Sequence, residues 1–174
     1  MNKKGRKVPR KLANLPSGSL VCADANVLAY HFTQVKPLAL ASTAFLARGL
    51  SKQIRIVTTP QIVSDVVHRV MLHEAQRDLN LPINQLANYL KKHPQVVRKL
   101  TEHLNVPTLL RRFNVDIRPV THIHLHAAKR FRRDYGLMAN DSLLLGFMVT
   151  ERIQHLASND RDFRRIPQIT LWVP

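Results

Sequence analysis

Short apolar runs alternate with helix-like segments along most of this chain of 174 residues, and that alternation constrains the fold more than any other feature. Five runs have the length of a strand and are rich in apolar or β-branched residues; they cover residues 19–24, 54–59, 115–120, 154–158 and 169–173. Strands that alternate with helices form a parallel sheet with helices on both faces. The sequence therefore predicts a three-layer α/β/α fold around a central, mostly parallel sheet of four to five strands.

The segments between these runs carry helical signals. Thr59 followed by Pro60 is a good helix start, because a hydroxyl can cap the free N–H groups and proline suits the first helical position. Gly49 and Gly136 suit helix ends. Besides the helix that begins at Pro60, the pattern predicts helices over residues 26–32, 38–49, 83–92, 94–104, 122–134 and 142–151.

The length and composition fit one domain that follows a basic tail. Residues 1–15 carry six Lys or Arg and no acid, and they lack periodicity, so we expect a flexible tail over residues 1–17 and a single domain over residues 18–174. No apolar run approaches the roughly 20 residues of a membrane span. The N-terminus lacks the apolar stretch of a secretory signal, and Cys22 is the single cysteine. These features predict a cytoplasmic protein with no membrane partner.

The charge of the chain is strongly positive and unevenly placed. The formal net charge is +16, and residues 91–135 carry eleven Lys or Arg against three acids. This segregation favours a polyanionic partner, and nucleic acid fits better than a membrane because no basic amphipathic segment also exposes large apolar residues. The P-loop, dinucleotide-binding and GxSxG motifs are absent from the sequence, which disfavours nucleotide-triphosphate, dinucleotide and serine-hydrolase chemistry.

Few acids remain in so basic a chain, and five aspartates lie at or near the predicted strand ends. Functional residues collect at the carboxyl ends of parallel strands, and carboxylates are the ligands that Mg²⁺ and Mn²⁺ prefer. Each acid taken singly also fits a helix cap, a turn or a solvated helix position. If they converge, they would repel phosphate unless a divalent cation lay between them, as in a metal-dependent nuclease. The five are Asp24, Asp65, Asp141, Asp160 and Asp162.

The order of the acidic motifs resembles that of PIN-domain proteins, in particular the VapC-type ribonuclease toxins. The motifs are Asp24-Ala25-Asn26-Val27-Leu28 after the first strand, an acid in the helix after the second strand, Asn140-Asp141-Ser142-Leu143-Leu144, and Ser158-Asn159-Asp160-Arg161-Asp162-Phe163. The resemblance runs in order from about residue 20 to residue 174. The first and last motifs are fairly specific together, whereas each alone is weak.

The resemblance implies a site and a chemistry. Its catalytic pocket comprises Asp24, Asp65, Asp141 and Asp160, with Asp162 as a further metal ligand and with Asn26 and Ser158 as supporting polar residues. PIN nucleases of this kind use Mg²⁺ or Mn²⁺ to hydrolyse RNA by a metal-activated water. The resemblance therefore implies an endoribonuclease, the toxin of a toxin–antitoxin pair, with RNA and an antitoxin protein as partners and a homodimer as the expected assembly.

Basic residues precede and follow the last two acidic motifs. We expect them to contact the RNA backbone, because an arginine side chain can donate two parallel hydrogen bonds to phosphate oxygens. They are Arg130, Arg132, Arg133, Arg161, Arg164 and Arg165.

One position departs from the family pattern. Asp65 stands where glutamate is usual, and its side chain is one methylene shorter, so its carboxylate reaches less far. A catalytically weak or inactive PIN-like module that binds RNA is therefore the alternative function, and a protein-interaction role is the third.

Overall fold

The computed structural model describes residues 8–174, in which six strands form one sheet. Every neighbouring pair of strands is parallel. The strands are β1 (Arg10–Lys11), β2 (Leu20–Ala23), β3 (Arg55–Thr58), β4 (Val115–Ile117), β5 (His155–Ala157) and β6 (Thr170–Val173). The predicted parallel α/β fold is confirmed, and β2 to β6 correspond to the five predicted runs. The sheet exceeds the predicted four to five strands by the short edge strand β1.

Eight α-helices connect and cover the strands in the described part of the chain. They are α1 (Ala25–Thr33), α2 (Leu38–Leu50), α3 (Pro60–Leu79), α4 (Ile83–Lys92), α5 (Pro94–Val97), α6 (Val106–Arg112), α7 (His122–Tyr135) and α8 (Ala139–Thr150). Short 3₁₀ segments cover Leu12–Asn14, Glu102–Asn105 and Arg161–Arg165. None of the described helices is both long enough and apolar enough to cross a membrane.

The helix starts follow from local chemistry. The Thr59 side chain accepts a hydrogen bond from the Ile62 N–H at the start of α3, as the Thr-Pro pair predicts. Thr121 and His124 form a reciprocal capping box at the start of α7. Gly136 ends α7 at a φ of +61°, a left-handed conformation that glycine adopts without a steric penalty.

The predicted helix over residues 94–104 is wrong as a single element. It divides into the one-turn helix α5 and the 3₁₀ segment Glu102–Asn105. The buried carboxylate of Glu74 in α3 accepts hydrogen bonds from the backbone N–H groups of Thr101 (2.8 Å) and Glu102 (3.1 Å). Because those N–H groups are bound to a side chain of another helix, they cannot bond to carbonyls of a continuous helix.

The flexible tail predicted for residues 1–17 also needs correction. Residues 1–7 lie outside the described part of the chain, but β1 pairs with β6, and Leu12 and Leu15 are 2% exposed. Arg48 in α2 donates hydrogen bonds to the carbonyls of Leu12 (3.3 Å) and Leu15 (2.5 Å). Residues 10–15 therefore belong to the folded domain, because their apolar side chains complete its core.

The strand order places one topological switch point at the centre of the sheet. The order is β1-β6-β5-β2-β3-β4, so the chain runs outward from β2 to β4 and then returns to form β5 on the other side of β2. Right-handed crossovers then put α1, α2 and α3 on one face and α7 and α8 on the other. Ligands of open α/β sheets bind at such a point, outside the carboxyl ends of the strands.

Candidate active site at the sheet switch point

Asp24 follows the central strand β2 and caps α1. One carboxylate oxygen, Oδ1, accepts a hydrogen bond from the Ala25 N–H (2.6 Å). The other, Oδ2, accepts hydrogen bonds from Asn26 Nδ2 (2.6 Å) and Ser158 Oγ (2.6 Å). Burial raises the pKa of Asp24, while the hydrogen bonds from Ser158 and Ala25 act to lower it. These contacts fix the carboxylate at the switch point.

Ser158 follows the neighbouring strand β5 and links the two strand ends. Ala157 stands opposite Ala23 in the sheet, so Ser158 comes level with Asp24. The Ser158 hydroxyl is fully buried and also accepts hydrogen bonds from Asn26 Nδ2 (3.1 Å) and the Asp160 N–H (3.0 Å). Asn26 Oδ1 in turn accepts a hydrogen bond from the Asn159 N–H (2.9 Å). The two predicted supporting residues therefore lie beside Asp24.

Asp141 lies in the first turn of α8, on the opposite side of the sheet from α1. Its pKa is raised to about 6, first by burial and then by the negative charges of Asp160, Asp24 and Asp162. Arg165 acts in the opposite direction. Asp160 also raises the pKa of Asp24. Four of the five predicted acids thus share one electrostatic environment.

Asp160 and Asp162 belong to the turn that follows Ser158. Asp160 Oδ1 accepts a hydrogen bond from the Asp162 N–H (2.8 Å) and caps the 3₁₀ segment Arg161–Arg165. Asp162 also lies 3.5 Å from the Arg165 guanidinium. The turn therefore presents two partly exposed carboxylates toward solvent beside Asp24 and Asp141.

Asp65 lies in the second turn of α3 and is partly exposed. It lines one narrow cleft with Thr59 and Asn140, and a larger groove with Asn26 and Asn140. It therefore lies at the same end of the sheet as the other acids, beyond the carboxyl ends of the strands. Among residues 8–174, no three His, Cys, Asp or Glu side chains are close enough together to hold a metal ion.

The chemistry of the donors nevertheless suits a hard divalent cation. The cluster offers carboxylate oxygens without sulfur or imidazole donors, which is the set that Mg²⁺ and Mn²⁺ prefer. Burial is the first cause of the raised pKa of Asp141, and repulsion by the charges of Asp160, Asp24 and Asp162 adds to it. A cation at this place would relieve that repulsion.

The six predicted RNA-binding arginines fall into two groups. Arg132 donates a hydrogen bond to Ser142 beside Asp141 (3.0 Å), while Arg161, Arg164 and Arg165 follow Asp160 directly. Arg130 and Arg133 instead contact Asp134, at 3.9 Å and 2.8 Å, and line a surface cavity along α7. The structure thus brings four of the six arginines to the turn or helix start that carries the acids.

Sequence reasoning missed Arg69. It lies one helical turn after Asp65 on α3, and its positive charge acts to lower the pKa of Asp24. The spacing of four residues from Asp65 was visible in the sequence, because residues i and i+4 share a helix face. The packing of α3 against α1, which brings that face to Asp24, was not.

A parallel α/β fold with an acidic cluster at its switch point defines the class of this protein. The model of the PIN domain family matches residues 21–169, which is most of the chain. The protein therefore belongs to the PIN-domain family, as its motif order predicts. Comparison with curated protein sequences gives no match.

Two solved structures resemble the chain in fold. One is VapBC2 from Rickettsia felis bound to a DNA fragment from its promoter, with a TM-score of 0.54 and 16% identity over 88% of this chain and 98% of that chain. The other is a toxin-antitoxin complex from Klebsiella pneumoniae, with a TM-score of 0.48 and 17% identity over 86% of this chain and 94% of that chain. Because its identity to this chain is only 16%, the Rickettsia structure supports the fold of this chain and nothing further.

Proposed function

We propose that this protein is a divalent-metal-dependent endoribonuclease that hydrolyses RNA phosphodiester bonds. The observation that supports the proposal is that Asp24, Asp160 and Asp162 follow two adjacent strands and that their charges act on Asp141, in a chain with a net charge of +16. The basic chain attracts a polyanion, and the acidic cluster gives a cation a place beside it. Membership of the PIN-domain family is consistent with this chemistry.

In this proposal Asp24, Asp141 and Asp160 hold Mg²⁺ or Mn²⁺, with Asp65 and Asp162 as further ligands. When bound, such a cation would polarise the phosphodiester and lower the pKa of a coordinated water. Asn26 and Ser158 keep the Asp24 carboxylate oriented through their hydrogen bonds. Supporting hydrogen bonds of this kind tune metal affinity as well as ligand orientation.

The basic residues around the cluster would hold the RNA backbone. Arg132 of α7 donates a hydrogen bond to Ser142 beside Asp141, and Arg161, Arg164 and Arg165 lie in the 3₁₀ segment that Asp160 caps. Guanidinium groups bind phosphate oxygens through paired hydrogen bonds and would offset the repulsion between RNA and the acids. Arg130 and Arg133 would contact a more distant part of the strand.

The proposed biological setting is a toxin–antitoxin pair. The similar fold of VapBC2 from Rickettsia felis motivates this step, together with the motif order. The partners are then RNA, an antitoxin protein and a second copy of the chain in a homodimer. Expression in a bacterial host should arrest growth, and the Asp24→Asn variant at equal abundance should not. Equal growth arrest by both proteins would contradict a toxin that acts through this site.

The decisive experiment is RNA cleavage by the purified protein with Mg²⁺ or Mn²⁺ and with EDTA. Asp24→Asn and Asp141→Asn should each lower the cleavage rate by about a hundredfold or more, because each removes charge that holds the cation. Asp78→Asn is the matched control, since Asp78 is an exposed acid of α3 that contacts Arg77 (3.4 Å). Undiminished cleavage by both site variants would contradict the proposal.

Asp65 favours a second candidate function, an RNA-binding module that cuts weakly or not at all. Its carboxylate is one methylene shorter than the glutamate usual at this position, and the described acids do not stand within joint ligand distance of one metal. Asp65→Glu separates the two candidates. Metal-stimulated cleavage by the wild-type chain supports the nuclease, whereas cleavage that appears only in Asp65→Glu supports the binding module.

A further inference from the structure

A groove of about 520 Å³ opens between α1 and α3, next to the acidic cluster. Asn26 and Asp65 form the part of its wall that faces the cluster, and Asn140, the residue before Asp141, closes that end. Asn26 also donates the hydrogen bond to Asp24. A molecule lying in this groove would therefore reach the reacting centre of the proposed nuclease.

Arg69 supplies the positive charge of the groove. It is exposed, and among the residues that the structure describes it takes part in no hydrogen bond or salt bridge. Its charge nevertheless acts on Asp24. A guanidinium has five N–H donors in a planar fork, a geometry that matches two phosphate oxygens. Arg69 is thus free to bind an anionic group that approaches the cluster along the groove.

The rest of the groove suits a nucleobase. Tyr30, His68 and His73 contribute aromatic rings, and Ala29 and Leu72 contribute apolar surface. The Tyr30 hydroxyl accepts a hydrogen bond from Asn159 Nδ2 (3.2 Å), which ties this wall to the turn that carries Asp160. Aromatic side chains bind unpaired bases by stacking, while a nearby basic residue follows the backbone.

We propose that this groove binds the nucleotide next to the scissile phosphodiester of single-stranded RNA, with Arg69 donating hydrogen bonds to its phosphate. The inference rests on the proposed ribonuclease function and names a binding subsite for it. Charge complementarity favours RNA over an apolar protein segment as the occupant. An apolar segment in the groove would displace the water around the Arg69 guanidinium without offering it a hydrogen-bond acceptor, which is unfavourable.

The test measures binding without cleavage. A fluorescein-labelled single-stranded RNA hexamer is titrated in EDTA with the wild-type chain, Arg69→Gln, Arg69→Lys and Arg77→Gln. Arg77 is the matched control, since it is an exposed arginine of the same helix that bonds to Glu102 (2.7 Å). We expect affinity to fall about tenfold in Arg69→Gln and about threefold in Arg69→Lys, with less than about twofold change in Arg77→Gln.

Two further readouts separate the subsite from general charge loss. The slope of log affinity against log salt should decrease by about one in Arg69→Gln, as for one lost phosphate contact. NMR amide shifts caused by the hexamer should include Tyr30, His68 and Leu72. A wild-type chain that binds and cuts RNA, with Arg69→Gln indistinguishable from Arg77→Gln, would overturn the subsite and leave the proposed function intact. A wild-type chain that neither binds nor cuts RNA would overturn both.

Discussion

At the scale of single residues, the acidic site lowers the stability of the metal-free protein. Burial and three neighbouring carboxylates raise the pKa of Asp141 to about 6, whereas its ordinary value is 3.8. The folded state therefore holds a proton on Asp141 more tightly than the unfolded chain does. Without a cation, the ionised form of Asp141 destabilises the fold, and this contribution grows as the pH rises from about 4 to about 7.

Asp141→Asn should therefore stabilise the metal-free protein at pH 7.5. Full conversion of the pKa difference gives about 3 kcal/mol, and solvent screening of the partly exposed side chain reduces the expected gain to about 1 kcal/mol. The difference from wild type should become small near pH 4, where the folded Asp141 is protonated and the unfolded side chain is about half protonated. Urea unfolding in EDTA at the two pH values measures it, and an equal difference at both would contradict the assigned cause.

Ser158→Ala tests the hydrogen bonds around Asp24. The buried hydroxyl donates to Asp24 Oδ2 and accepts from Asn26 and the Asp160 N–H, so its loss removes one hydrogen bond each from Asp24 and Asn26 and takes away the partner of the Asp160 N–H. The free energy of unfolding should fall by about 1–3 kcal/mol. The control is Ser51→Ala, because the Ser51 hydroxyl bonds only at an exposed position, to the Arg48 carbonyl (3.2 Å). Similar losses of unfolding free energy for the two variants would show that the Ser158 hydroxyl contributes no more to stability than an exposed hydroxyl does.

At the scale of elements, the fold was predictable where its signals are local. The Thr59-Pro60 pair and the apolar spacing after it predict α3, and the β-branched run before it predicts β3. The strand β1 was not predicted, because two residues are too few to show the alternation of apolar and polar side chains that marks a strand. Only its pairing with β6 makes it a strand. The helix over residues 94–104 failed because the Glu74 carboxylate, distant in sequence, binds the N–H groups there.

The residues of the candidate site also divide into those that local sequence signals predict and those that they do not. Asp24 and Asp160 were predictable as acids at strand ends, and the alternation of strands with helices implied that such ends meet at one edge. The relation of Arg69 to Asp24 depends on how α1 packs against α3, and no local pattern in the sequence encodes that packing. The sequence could predict candidate residues that are positioned by their own element, whereas it could not predict those that are positioned by contact between elements.

The contact between α7 and α8 is close enough to require glycine. A Cβ built on Gly146 would lie 2.5 Å from the His124 carbonyl oxygen and 2.8 Å from the Ala128 nitrogen. Gly146→Ala should therefore force the helices apart and lower the free energy of unfolding by about 1–3 kcal/mol. The displaced α8 would also move Asp141, so the rate of RNA cleavage should fall as well.

Gly49→Ala is the matched control for this prediction. It is also a glycine within a helix, and the nearest atom to its added Cβ, at 2.7 Å, is the terminal methyl carbon of Ile56, a flexible group. Both variants gain the same helix propensity, so the difference between their unfolding free energies reports the contact. A larger loss for Gly49→Ala than for Gly146→Ala would contradict the proposed role of the helix contact.

At the scale of the whole molecule, the basic N-terminal region serves the fold as well as the charge. Leu12 and Leu15 belong to the main hydrophobic core, and β1 forms the outer edge of the sheet beside β6. Arg10 also places its guanidinium over the Trp172 ring, 5.6 Å from the ring centroid. Basic residues that composition assigns to a tail thus include some that hold the sheet edge.

Leu12→Ala should consequently lower the free energy of unfolding by about 2–5 kcal/mol, as for other large-to-small changes in a core. Leu104→Ala is the control, because Leu104 is 64% exposed and its truncation should cost less than about 0.5 kcal/mol. Urea unfolding measures both. A small loss for Leu12→Ala would mean that residues 10–15 contribute little to stability.

The position of β6 has a consequence for synthesis of the protein on the ribosome. This strand, the last element along the chain, lies between β5 and β1, and the Trp172 carbonyl accepts a hydrogen bond from the Ser158 N–H (3.0 Å). A growing polypeptide that still lacks residues 170–173 has a gap in its sheet and an unanchored turn where the acids should meet. Because residues 170–173 are synthesised after that turn, we expect the acidic cluster to form only once β6 has paired with β5.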